Sequence, residues 1–117
     1  MEAYRRAVEL ANDLHSRVMR WTRPDQANLG WQLSRAADSV GANIAEAAGR
    51  WHTADKRRFL FIARGSLYEL EHWMLLAEHR GLLELGTSAR VDPVARALNG
   101  LIKRPSPPRT ANRNRQP

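Results

Sequence analysis

The chain has 117 residues and 13.3 kDa, with 43% hydrophobic residues, 19 Lys and Arg against 12 Asp and Glu, and no cysteine. That is enough for one domain with one modest core; the absence of cysteine excludes disulfides and thiolate metal sites. The longest apolar runs, Phe59–Ala63 and Trp73–Ala77, are five residues each, whereas a membrane-spanning helix needs about 20. The opening MEAYRRAVEL carries acids and no long apolar block, so no secretory signal and a cytoplasmic location are expected.

A first helix is predicted over about residues 2–21. Tyr4, Ala7, Ala11, Leu14, Val18 and Trp21 recur at alternating steps of three and four, the spacing of one helix face. Thr22-Arg-Pro-Asp25 then has the form of a helix start, with a hydroxyl cap, an early proline and an acid in the first turn. Gly30 weakens that start, so helix 2 is placed at about 28–48. Leu33, Ala36, Ala37, Val40, Ile44 and Ala47 form its seam and Gly49 its C-terminal cap.

Helix 3 is predicted over about 54–80, with Thr53 as cap. It carries two apolar stripes. Leu60, Ala63, Leu67, Leu70, Met74 and Ala77 form one; Phe61, Gly65, Tyr68, His72 and Leu75 form another, rotated by roughly 100°. A bundle helix needs only one core face, so the second stripe is assigned to a subunit contact. Arg57, Arg64, Glu71 and Glu78 are assigned to solvent. Helix 4 follows at about 92–103, opening on Asp92-Pro93 and stopped by Pro105. No strand pattern appears, which predicts an all-α, up-down antiparallel four-helix bundle over residues 1–104. Residues 105–117, rich in Pro and Arg, are expected to be a disordered basic tail.

Charge is uneven. Lys103, Arg104, Arg109, Arg113 and Arg115 lie beyond the last acid, Asp92, while residues 1–102 hold 14 basic against 12 acidic residues. Up-down topology would also bring the start of helix 1, the helix 2–3 turn and the end of helix 4 to one pole. Arg5, Arg6, Arg50, Lys56, Arg57, Arg58, Lys103 and Arg104 would gather there with the tail. Trp51 and His52 in the same turn offer flat surfaces for unpaired bases. Clustered positive charge is what phosphate binding requires; the plainer reading is a solvated surface that keeps a basic protein soluble.

Metal and catalytic chemistry find little support. Glu69-Leu-Glu-His72 matches the Glu-x-x-His pairing of di-iron bundles, but it occurs once and lacks the partner carboxylates. The four histidines are scattered, and no phosphate-cradling glycine loop is present. No metal, no cofactor and no enzymatic activity are expected. Ser39, Asn43, Glu46 and Arg50 line helix 2 beside the seam. Interhelical hydrogen bonds that fix register explain them better than a binding groove.

Two ordered motifs carry a resemblance. The first is Gln32-Leu33-x-Arg35-Ala36-Ala37-x-Ser39-Val40 followed by Ala42-Asn43-Ile44-Ala45-Glu46. The second is Phe59-Leu60-x-Ile62-Ala63-x-Gly65-Ser66-Leu67-x-Glu69-Leu70-Glu71, then Leu76-Ala77 and Gly81-Leu82-Leu83. Over roughly residues 4–103 the chain resembles the bacterial four-helix-bundle family encoded in intervening sequences of large-subunit ribosomal RNA. It departs from that pattern at Gly41, where the family usually has proline, and at Ala47, where it usually has glycine. The resemblance implies an up-down bundle that assembles as a ring-like homopentamer. The same architecture serves the accessory variability determinant of diversity-generating retroelements, which binds nucleic acid and a reverse transcriptase. The expected function is therefore RNA binding, with a ribosomal partner among the possibilities the resemblance implies. The alternative is a protein-interaction scaffold that docks a partner such as a reverse transcriptase.

Overall fold

The computed structural model describes residues 1–105. Four helices account for the fold: α1 (Glu2–Val18), α2 (Trp31–Ala48), α3 (Thr53–His79) and α4 (Val91–Lys103). α1 packs on α2 and α4, and α3 packs on α2 and α4, with the largest interface between α2 and α3. Each helix thus lies beside its chain neighbours, and the chain closes into an up-down bundle. Among the described residues no helix is long and apolar enough to cross a membrane.

α1 stops earlier than its periodicity suggests. The backbone turns at Met19–Trp21, where Arg20 and Trp21 donate to the carbonyls of Arg17 and Val18. The Gln26 side-chain amide donates to the Met19 and Trp21 carbonyls at 3.3 and 2.8 Å, closing that turn. Helical structure then resumes well before residue 28. Thr22 caps a single turn, Arg23–Asp25, by accepting the Asp25 N–H, and a π-helical stretch, Gln26–Gly30, leads into α2. Gly30 is therefore no barrier to the helix. It is buried where this lead-in crosses the end of α1, and an added Cβ would stand 2.7 Å from Val18 Cγ1 and 3.1 Å from the Asp25 carbonyl oxygen. Gly41 leaves α2 uninterrupted.

The ends of α3 follow different rules. His52, not Thr53, is the N-cap, and its side chain makes no capping bond. At the other end Gly81 has φ +74°, Leu82 N–H donates to the Ala77 carbonyl at 2.8 Å, and Gly81 N–H donates to Glu78 at 3.1 Å. This is a Schellman cap, for which only glycine pays no Cβ penalty. Gly49 also ends its helix, but in the right-handed region at φ −84°. A 3₁₀ turn, Thr87–Arg90, precedes α4. The Glu78 carboxylate accepts the Ser88 N–H at 2.6 Å, which holds its pKa below the ordinary carboxylate range. Asp13 in α1 is likewise held low by its ion pair with Arg90.

The core is the predicted one in α2 and α3. Leu33, Ala36, Ala37, Val40, Ile44 and Ala47 meet Leu60, Ala63, Leu67, Leu70, Met74 and Ala77, all at most 3% exposed. In α1 the predicted Ala7, Ala11, Leu14 and Val18 are buried, joined by Ala3 and Leu10, while Tyr4 lies 43% exposed and Trp21 is only partly buried. Polar contacts set the α2–α3 register. Ser39 Oγ and Ser66 Oγ are 2.8 Å apart, Asn43 donates to Ser39, and Arg35 donates to Glu69 at 3.0 Å. Glu69, which also accepts from Trp73 Nε1 within α3, thus pairs across the helices through Arg35. Among the described residues no group of three His, Asp or Glu side chains could hold a metal ion.

The row Arg57, Arg64, Glu71 and Glu78 is half-buried instead of solvent-facing. It borders α4 and the turn before it: Arg57 donates to the Ile102 and Lys103 carbonyls, Arg64 to Asn99, and Glu78 accepts from Ser88. The outward face of α3 is the apolar one. Phe61, Tyr68 and Leu75 are 47%, 56% and 42% exposed, Gly65 and His72 are exposed between them, and space beside Gly65 is open.

Candidate nucleic-acid interface

The sequence-predicted basic residues meet only if four helix ends converge, and they do. Met1, Ala47, Ala48, Lys56, Leu60, Leu101 and Pro105 line one cleft, so the start of α1, the α2–α3 turn and the end of α4 share a pole. Arg57 fixes the relation most directly. Its Nε donates to the Ile102 carbonyl at 2.9 Å and its Nη2 to that of Lys103 at 3.2 Å. A cation there also suits the negative end of the α4 dipole.

Lys56 must be moved from the surface to the interior. Its residue is 3% exposed, and Nζ donates to the Ala47 and Ala48 carbonyls at 3.3 and 3.5 Å, satisfying the last turn of α2. It cannot meet a phosphate without leaving that position. Arg57, half-buried with its donors on α4, is also chiefly a tie between helices.

The exposed remainder is Arg5, Arg6, Arg50, Trp51, Arg58, Lys103 and Arg104. Arg6 and Arg50 are part-exposed, and Trp51 stands 51% exposed in the turn. Arg109, Arg113 and Arg115, like the expected disordered tail, lie outside the described residues.

Carboxylates answer many of these charges. Arg5 pairs with Glu2 at 2.8 Å and Glu9 at 3.1 Å, Arg6 with Glu2, Arg50 with Glu46 at 2.9 Å and Arg58 with Asp55 at 3.8 Å. The Arg5 and Arg6 guanidiniums hold the Glu2 carboxyl below its usual range, so it is ionised at neutral pH. Eight basic side chains at this pole (Lys56 and Arg57 included) thus face four carboxylates. The pairs are solvent-exposed and screened, and a guanidinium with five donors retains capacity beyond one carboxylate. The pole keeps a net positive charge.

Sequence reasoning passed over Phe59. Its ring, packed against the core, lies under two guanidiniums: the Arg50 Cζ is 4.7 Å from the ring centroid and the Arg58 Cζ 4.5 Å. The available signal was an aromatic residue directly after Arg58, nearly two turns into a helix whose preceding loop carries Arg50. At the opposite pole Arg90 and Arg17 are both directed at Asp13.

A family model described as "23S rRNA-intervening sequence protein" matches residues 1–103. No curated protein gives a match to the chain.

Proposed function

The chain belongs to the 23S rRNA-intervening sequence protein family, and from that premise we propose that it binds RNA, or an RNA-containing complex, through the pole where the α2–α3 turn meets the end of α4. The observation that carries this reading is the Arg57 bridge to Ile102 and Lys103. It joins two sequence-distant basic segments, the α2–α3 turn and the end of α4, into one surface, and in sequence three more arginines follow within residues 106–117. The role is non-enzymatic: positive charge and one exposed tryptophan bind a polyanion without a reacting group.

Self-association accompanies it. The outward α3 stripe of Phe61, Gly65, Tyr68, His72 and Leu75 is an apolar row on a helix that already buries its core face. That supports a contact between copies, in keeping with the ring-like pentamer the resemblance implies. Repeating the basic pole around a ring would raise affinity by multivalency. The same stripe favours the second reading, a scaffold that docks a protein partner.

Salt dependence tests the contribution of the terminal segment. Each phosphate contact adds roughly 0.7–0.9 to the slope of log affinity against log salt. Deleting residues 106–117 removes Arg109, Arg113 and Arg115 and should flatten that slope by about 2–3, with helicity and oligomeric state unchanged. An unaltered slope would remove this segment from the interface.

A further inference from the structure

Trp51 stands in the turn between α2 and α3, half exposed, with Arg50 beside it in sequence. Arg50 and Arg58 approach the turn from opposite sides of the sequence, one at the end of α2 and one in the first turns of α3. Both guanidiniums rest on the same Phe59 ring, 4.7 and 4.5 Å from its centroid, so they are at most about 9 Å apart. Phe59 is anchored against the core, which makes this pair of charges a feature of the fold instead of two independent flexible arms. Glu46 and Asp55 steady them from outside at 2.9 and 3.8 Å.

Accepting the RNA reading above, we infer that this turn recognises a single-stranded segment: Trp51 stacks on one unpaired base while Arg50 and Arg58 take neighbouring phosphates of the same strand. The chemistry distinguishes single strands from duplexes. An exposed indole gains from a base only when that base presents its π-face, which a continuous helix hides in its stack. Two guanidiniums held on one ring suit phosphates that follow each other along one backbone, whereas a lone arginine could fork onto only one of them. The site reads backbone and base plane, so it discriminates strandedness and little sequence.

The test uses the full-length chain, a labelled single-stranded RNA oligonucleotide, and the same sequence annealed to its complement. The wild type should bind the single strand more tightly. Trp51→Ala should weaken single-strand binding by roughly 5- to 150-fold, the loss of one base–aromatic stack, leave duplex binding within about twofold, and keep the salt slope; Trp51→Phe should retain most of the affinity. Equal affinity for both RNAs, or a Trp51→Ala variant that binds the single strand like the wild type, overturns the single-strand site while leaving RNA binding itself in place. Failure of the wild type to bind either RNA instead overturns the RNA reading on which the inference stands.

Discussion

Replacing Leu67 with alanine should lower the unfolding free energy by about 2–5 kcal/mol, and replacing its neighbour Tyr68 should leave it nearly unchanged. Leu67 is 1% exposed at the middle of α3, inside the row that meets Leu33, Val40 and Ile44 across the bundle. Truncation there removes apolar surface and leaves a cavity that neighbouring helices cannot close without moving. Tyr68, one residue on, is 56% exposed. Its removal costs the monomer almost no burial, but it strips the outward stripe proposed to join subunits. Chemical denaturation of Leu67→Ala and Tyr68→Ala, with sedimentation of both, separates the two stripes. Equal stability loss for the pair would mean that α3 has one broad core face and no spare surface for a neighbour.

Gly30→Ala should also destabilise the protein, against the trend for helices. Alanine is favoured over glycine in a helix interior by about 1 kcal/mol. Here a Cβ would lie 2.7 Å from Val18 Cγ1, with the Asp25 carbonyl oxygen 3.1 Å away. Val18 is buried at the last turn of α1 and β-branched, so its methyl has no free rotamer to retreat into. Overpacking of this kind costs about 1–3 kcal/mol, enough to cancel the propensity gain and reverse its sign. Val18→Ala in the same chain should relieve the clash, so the double variant loses less than the two single losses together. A Gly30→Ala variant as stable as the wild type would show that the α1–α2 crossing can open freely.

Much of this fold was legible because apolar spacing is unambiguous where a helix is long. Over α3 the stripe from Leu60 to Ala77 is buried and the stripe from Phe61 to Leu75 is exposed, as periodicity requires. Shorter or flanking pieces were less determinate. In α1, Ala3 and Tyr4 both fit a step of three or four, and only packing against α2 and α4 decided for Ala3. Polar residues misled for a different reason. Arg57 and Lys56 carry charge, which reads as solvent, yet their long stems reach backbone carbonyls at helix C-termini, where a cation is favoured. Ion pairs such as Arg50–Glu46 follow from helical spacing and could have been anticipated. The ring of Phe59 under two arginines could not, because it depends on how α2 and α3 meet.

RNA binding at the converged basic pole is tested better by Arg50 and Arg58 than by Arg57, whose donors hold α4 in place. The decisive measurement is RNA affinity as a function of salt for the wild type and for Arg50→Glu/Arg58→Glu, with helicity and oligomeric state checked in parallel. The bundle should stay intact, with affinity reduced at least tenfold and a salt slope shallower by roughly 1–2, as two phosphate contacts are lost. Wild-type affinity and slope in that folded variant would rule out RNA binding at this pole.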